Sequence, residues 1–597
     1  MWQGRGMTVT LTDLLDARTT RAYDVAADGH VLVGHDDTGT IQLYEIAPDG
    51  TWTQLTDLGE SCRGRYLPGE RAIVVQHDTA GTERYQLSLL RLDDADAELT
   101  PLVHDEQYIH HLVDVLPGRI VFTTNRRDGV EFDVVVRDVD GGAERVLYDG
   151  GGYVSDVAVS PDERYVVVGR PAEPANSTQL VLVDTASGKV IELTKADELA
   201  EYEHPVWAPD SGSFTFSTNS GREFVGLASY DVAAGSWRYT DTGELQWDAA
   251  AWPSPDGRRV VVAHNTDGAH RLTLDGGPVP LPHEGVLARM TDPVWSPDGS
   301  RLAFTFSSAI EPGDVWVSTA DGGLHRLTDS SPDLDKECLV FPELHRVPSP
   351  DGDPIPCYVY RGANCDGSAV LNIHGGPEAQ AQRTWSPLIQ ALVAQGHAVL
   401  VPNVRGSTGY GKAWYSADDV RKRLASVADL AALHAWLPSI GLDPGRAALH
   451  GGSYGGYMVL AGLTMQPELW AAGVDIVGIS SLITFLENTS AYRRAHRERE
   501  YGSLERDYDF LVEASPITHI ANLRAPLLIL HGANDPRVPV SEAEQIAAAV
   551  RARGVECELH VYPDEGHGFS KRHNLFDSQP RITAFLRRHL SDTKQLP

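Results

Sequence analysis

The sequence predicts two domains of different class, an all-β radial repeat followed by a parallel α/β sheet with helices on both faces. Three observations carry this. A turn built on Pro, Asp and Gly recurs seven times between Ala27 and Gly299. From about residue 336 the pattern changes to short apolar runs alternating with helical stretches. Within that second half stands Gly451-Gly452-Ser453-Tyr454-Gly455, a G-x-S-x-G string with an apolar run before it and a helical pattern after it.

Bulk properties narrow the classes. At 597 residues the chain exceeds one core. A formal net charge of −33 argues against nucleic acid and anionic membranes as partners, since both need a basic surface. The opening MWQGRGMTVTLTDLLDART lacks an apolar signal core, and no apolar run reaches the length of a membrane span. Cys62, Cys338, Cys357, Cys365 and Cys557 are scattered with no C-x-x-C, which predicts reduced thiols and a cytoplasmic location. A homo-oligomer is compatible with all of this.

Residues 1–20 hold a short helical piece around Leu11, Leu14 and Leu15, read as an N-terminal extension of the second domain. The repeat fills residues 21–335. Its markers begin at Ala27, Pro68, Pro117, Pro161, Pro209, Pro255 and Pro297, at intervals of roughly 40–50 residues. Pro ahead of Asp-Gly presets a turn, and alternating strands follow, as in Tyr165 to Val168 and Leu302 to Thr305. A second hairpin completes each unit: Leu180 to Asp184 returns through Ser187-Gly188, and Val315 to Ser318 through Asp321-Gly322-Gly323. Four strands per period define a propeller blade, so seven markers predict a seven-bladed β-propeller. The first three markers are degenerate and leave six or eight blades open. The acidic run Asp93 to Glu98 reads as a solvated hairpin tip.

Residues 336–597 read as an α/β-hydrolase domain. An opening hairpin (Glu343 to Val347, Ile355 to Tyr360, turning at Asp351-Gly352) precedes buried strands at Ala369 to Ile373 and Ala398 to Pro402 and a helix across Leu424 to Leu437. Ser453 sits at the strand-to-helix turn expected of a nucleophile elbow, where Gly451 and Gly455 leave room for a tight reversal. The apolar run Pro526 to Leu530 leads to Asp535, and Leu559 to Tyr562 leads to His567. Nucleophile, acid and base in the order Ser453, Asp535, His567 match this fold. Ser453 is the expected nucleophile, His567 the base and Asp535 its orienting partner. The Tyr454 N–H and a donor from the His374-Gly375-Gly376-Pro377 loop, Gly376 foremost, are the expected oxyanion hole. No H-E-x-x-H or Cys/His cluster occurs, so neither metal nor cofactor is expected. The Gly-rich loop Asn403 to Gly411 lacks G-x-G-x-x-G, which argues against phosphate binding, and its Arg405 reads as half of an ion pair.

With both halves in view the chain resembles the prolyl oligopeptidase family of serine peptidases, its acylaminoacyl-peptidase-like branch above all. The residues that carry the likeness are His374 to Pro377, Asn403 to Gly411, Gly451 to Tyr457, His531 to Val538 and Gly566 to Phe569. The resemblance implies a propeller that caps the active site and admits short peptides or acyl-peptides. It implies that Arg537 grips a substrate carbonyl, and that Phe485, Tyr492, Tyr454 and Val538 line the pocket for the residue before the cut bond. His374 stands where the endopeptidase branch has a tyrosine hydroxyl donor; a loop-bracing histidine is the plainer reading. Aminopeptidases of the family clamp a free amino end with two propeller glutamates, for which Glu201 and Glu203 are the nearest match, although both also suit a blade edge. The expected activity is hydrolysis of short peptides through an acyl-enzyme, of the acylaminoacyl-peptidase or oligopeptidase kind. A small-molecule esterase or amidase on the same scaffold and a dipeptidyl aminopeptidase are alternatives. A propeller binding module carrying a dead hydrolase is a third, and the intact triad speaks against it.

Overall fold

The computed structural model describes residues 9–93, 98–241, 245–287, 292–318, 323–349 and 352–591. Most of the acidic run after Asp93 and the turns at 321–322 and 350–351 lie outside these residues. Seven antiparallel sheets follow one another along the chain, over residues 20–54, 62–103, 110–148, 156–192, 202–239, 248–278 and 286–326. Six are four-stranded meanders, and the seventh splits its first strand in two. This is the seven-bladed propeller.

Blade packing explains the strand chemistry. Inner strands are apolar on both faces because each blade is covered by the next: Leu302–Ser308 is buried throughout, whereas the outermost strand Trp52–Gln54 is exposed throughout. Val74 and Leu87 of the second blade pack against Ile120, Phe122 and Val135 of the third. The turn markers have a mechanism as well. Ser160 donates to Asp162 (2.6 Å) and accepts from the Tyr165 N–H (2.9 Å). Ser254 with Asp256 and Arg259, and Ser296 with Asp298 and Arg301, repeat the arrangement. Adjacent blades are pinned by indole N–H bonds, Trp207 to the Ala158 carbonyl and Trp295 to the Trp252 carbonyl, both at 3.0 Å.

The second domain is built on one eight-stranded sheet. In spatial order its strands are Glu343–Val347, Ile355–Tyr360, Ala398–Pro402, Ala369–Ile373, Ala447–Gly452, Ala472–Ile476, Leu527–Gly532 and Cys557–Tyr562. The first two pairings are antiparallel and the rest parallel. Alternate residues feed opposite faces. Leu371, Leu449 and Ile529 meet helices Arg423–Trp436, Tyr454–Met465 and Ser541–Ala552 on one face. Val370, Ala448 and Leu528 meet Pro387–Ala394 and Arg572–Leu590 on the other. The helix Leu11–Asp16, closed by a Thr10–Asp13 capping box, packs on this second group of helices. No helix among the described residues is long and apolar enough to cross a membrane.

The propeller is seated on the C-terminal ends of the parallel strands. Asn265 donates to Gln380 (2.8 Å), Lys412 to the Asn219 carbonyl (2.8 Å) and Arg499 to the Ser177 carbonyl (3.1 Å). One close approach is backbone on backbone: a Cβ placed on Gly81 would lie 2.5 Å from the Gly566 nitrogen. A side chain at Gly81 would therefore force the two loops apart, and its φ of +72° favours glycine independently.

Candidate active site

Ser453 caps helix Tyr454–Met465 at φ 58° and ψ −118°, a backbone conformation rare for any residue but glycine. The surrounding glycines show what holds it there. A Cβ on Gly451 would collide with the Gly455 carbonyl, and one on Gly455 with the Ile373 carbonyl. The Ser453 N–H is tied to the Ile476 carbonyl of the next strand (2.8 Å). The strained turn presents the hydroxyl at the positive end of the helix.

The three candidate triad residues converge. His567 Nε2 lies 2.9 Å from Ser453 Oγ, and Nδ1 lies 2.7 Å from Asp535 Oδ2. The Asp535 side chain is closed to solvent, and its Oδ1 accepts the N–H groups of Arg537 (2.8 Å) and Val538 (3.0 Å). Burial alone would raise its pKa, but bonding and attraction from His567, the Val538 N–H and nearby His531 outweigh it and hold the carboxyl below its usual value. An anionic Asp535 fixes the proton on Nδ1 and leaves Nε2 free to take the serine proton. His531, at the start of the His531 to Val538 stretch, braces the acid loop through Nε2 and the Val538 carbonyl (2.9 Å).

The loop carrying Gly376 runs beside the nucleophile: a Cβ on Gly375 would lie 3.3 Å from Ser453 Cβ. The loop expected to supply an oxyanion donor therefore runs close to the nucleophile. His374 braces this loop, with Nε2 2.8 Å from Ser407 Oγ and Nδ1 2.9 Å from the Gly375 carbonyl. Arg405 pairs with Asp429 (2.7 Å).

The residues expected to touch substrate are placed differently from one another. Phe485 and Val538 lie in the hydrolase core, about 2% exposed. The Tyr454 ring is fully buried and stacked on Tyr457, and its hydroxyl meets Ser426 (2.6 Å) and Asp418 (3.1 Å). Tyr492 packs edge-on against Phe132 of the propeller. Arg537 Nε donates to Glu83 of the propeller at 2.7 Å, so its guanidinium spans the domain seam. An apolar side chain reads the same in the sequence whether it lines a pocket or fills the core, which is why the sequence could not separate these cases.

A cavity of about 460 Å³ opens at the seam, reached by Glu201, Glu203 and Asp248 from the propeller and by Glu378, His496 and Arg499 from the hydrolase. Glu378 immediately follows the His374–Pro377 loop in the chain. Burial drives the Glu201 carboxyl well above the usual range, with Glu203, Asp248 and Glu378 adding to it. Burial pushes Asp248 up to about 6. Four carboxylates crowd a space that holds too little positive charge to keep them all ionised. Asp248 and Glu378 escaped the sequence reading, although the place of Glu378 next to the loop was a usable signal. Deeper in, ligand atoms of Asp418, Asp419 and Glu500 lie within 4.8 Å of one another, the spacing of a metal site. The Arg423 guanidinium pairs there with Asp418 and Glu500, so a cation is already supplied by the chain.

A strained serine bonded to a carboxylate-backed imidazole, beside a glycine loop and under a propeller, defines a capped serine hydrolase. Residues 384–593 match the prolyl oligopeptidase family. The chain is 30% identical over 549 residues to dipeptidyl aminopeptidase BIII of Pseudoxanthomonas mexicana, covering 83% of this chain and 75% of that protein. It is 24% identical to the acylamino-acid-releasing enzyme of Rattus norvegicus, over 79% of this chain and 63% of that one. A solved puromycin-hydrolyzing peptidase of Mycobacterium tuberculosis superposes with a TM-score of 0.86 at 20% identity, over 98% of this chain and 96% of the other. The chain belongs to the prolyl oligopeptidase family and is a serine peptidase.

Proposed function

We infer that this peptidase removes short pieces, dipeptides foremost, from the free amino ends of peptides. The observation that carries this is the carboxylate lining of the seam cavity, where Glu201, Glu203 and Asp248 face Glu378. An ammonium group offsets that charge. An acyl cap brings none and would bury neutral amide against unpaired carboxylates. The cavity therefore supports the dipeptidyl aminopeptidase alternative over the acylaminoacyl one, and the relative from Pseudoxanthomonas mexicana carries the name of such an enzyme.

In this reading Ser453 attacks the scissile carbonyl as His567 takes its proton at Nε2. The oxyanion is met by the Tyr454 N–H and a glycine N–H of the 374–377 loop, Gly376 foremost. His567 then protonates the leaving amine, and water enters by the same route to release the acyl group. Cys62, Cys357, Cys365 and Cys557 form no disulfide, in keeping with a reducing, cytoplasmic setting. The test is a paired panel of dipeptidyl 4-nitroanilides with free and N-acetylated amino ends. Turnover confined to free-amine reporters, lost in Ser453→Ala, is expected. Preference for the acetylated set would return the acylaminoacyl reading, and turnover of aryl esters alone would favour an esterase.

A further inference from the structure

The hydrolase wall of the cavity contains a pair of carboxyl groups that the reaction above does not use. Glu378 and Glu500 lie within hydrogen-bonding reach of each other. Glu500 is 1% exposed, and its Oε2 has no hydrogen-bond partner among the described residues. Glu378 Oε1 is likewise buried without one. Ionised carboxylates only accept, so two of them can bond to each other only if one holds a proton. Arg423 decides which. Fully buried, it pairs with Glu500 and Asp418 and lies 5.1 and 4.8 Å from the Tyr454 and Tyr501 rings. Despite burial, Arg423 keeps the Glu500 carboxyl below its usual value, while burial and then Glu500 hold Glu378 well above its own.

We propose that Glu378 is a further specificity-determining residue of this peptidase: it shares a proton with Glu500 while the cavity is empty and releases that proton to solvent when the ammonium group of a peptide's free amino end arrives. One positive charge leaves as another enters, so the buried network keeps its balance. An N-acylated peptide brings no cation and leaves the proton in place. Other charged and titratable groups face Glu378. His496 Nε2 lies 3.9 Å from its Oε2, and burial with the neighbouring arginines drives that imidazole down to about 3. Arg497 and Arg499 stand on the same helix as His496, and Asp418, paired with Arg423, is pushed up to about 8 by burial. Glu201 faces Glu378 across the seam and is itself driven well above its usual range. Among these groups Glu378 is the carboxyl on the hydrolase side that lines the cavity, where it can exchange its proton for a substrate charge.

The inference rests on the aminopeptidase reading and is tested with Ala-Phe 4-nitroanilide and its N-acetyl counterpart. Glu378→Gln should raise KM for the free-amine peptide roughly 10- to 100-fold, the effect of losing a hydrogen bond to a charged group, with kcat little changed. Thermal melting shows whether the variant is folded. Independently, Ser453→Ala titrated with the free-amine peptide near pH 7, in two buffers of different ionisation enthalpy, should release about one proton per peptide bound. The Ser453→Ala/Glu378→Gln protein should release none. Wild-type turnover of the free-amine peptide with an unchanged KM in Glu378→Gln, or with equal proton release by both inactive proteins, overturns the role of Glu378 alone. Turnover of only the acetylated peptide overturns the aminopeptidase reading and this role with it.

Discussion

Replacing Gly566 by Ala tests how far catalysis depends on the propeller's seat against the histidine loop. Gly566 precedes His567, and a methyl group there would lie 2.7 Å from the Gly81 carbonyl carbon and closer still to its oxygen. Real Cβ contacts essentially never fall under 3.0 Å. Both clashing atoms belong to backbone, so no side chain can rotate away, and the two loops must part by a distance on the order of 1 Å. Gly566 does not adopt a left-handed φ, so the substitution adds crowding without backbone strain of its own. His567 is held 2.9 Å from Ser453 Oγ by this same loop. Misplacing a catalytic group by about 1 Å costs on the order of 100-fold in rate. The expected result is kcat reduced about 100-fold in a steady-state assay, with correspondingly slow labelling by a fluorophosphonate and a nearly unchanged melting temperature. A Gly566→Ala enzyme within twofold of wild type would show that the loop is positioned without the propeller, and the reasoning would fail.

Other substitutions follow from the same geometry. Asp535→Asn should lower kcat by about 10⁴-fold while fluorescence and melting remain near wild type, since the amide lets the imidazole settle in the wrong tautomer. Arg423→Met should strand the buried Asp418 and Glu500 carboxylates and cost about 3–5 kcal/mol, read from urea unfolding. Burial pushes the Asp248 carboxyl up to about 6, above the usual carboxylate value of about 4, so its ionisation destabilises the fold as pH rises from about 4 through 6. Asp248→Asn keeps an acceptor for the Val225 N–H (2.9 Å) and should be more stable than wild type at pH 8, by up to about 3 kcal/mol, with the advantage gone near pH 4. Melting curves at both pH values check the sign.

Much of this architecture was legible because its signals are local. A nucleophile elbow needs a strand, glycines and a helix within a dozen residues, and Ser453 supplies all three. Asp535 follows the buried strand Leu527–Gly532 and His567 the half-exposed edge strand Cys557–Tyr562, and each is punctuated by its own turn. The blade markers are legible for the same reason, down to the Ser that caps the Pro-Asp turn at 160, 254 and 296. Contacts across the seam were not. Arg537 reads as a free cation until Glu83, far off in the chain, is seen beside it. Phe485 and Val538 show the apolar spacing shared by core and pocket alike. Glu201 and Glu203 look like a blade edge until Asp248 and Glu378 are found around the same cavity.

The two kinds of residue answer to different physical demands. The triad must be accurate to fractions of an ångström, and it stands at the ends of strands in one rigid sheet, where neighbouring hydrogen bonds fix each loop. Selectivity needs a charge environment, and charge acts over several ångströms. It can therefore be assembled from two domains whose contact is mostly polar. That division explains why Glu378, one residue beyond the 374–377 loop, is the informative position. In the chain it directly follows the loop that runs beside Ser453, yet it belongs electrostatically to the Glu500–Arg423–Asp418 network and to the propeller carboxylates. Sensing a substrate's amino end at that position would tie recognition of a free amino end to cleavage a fixed distance away.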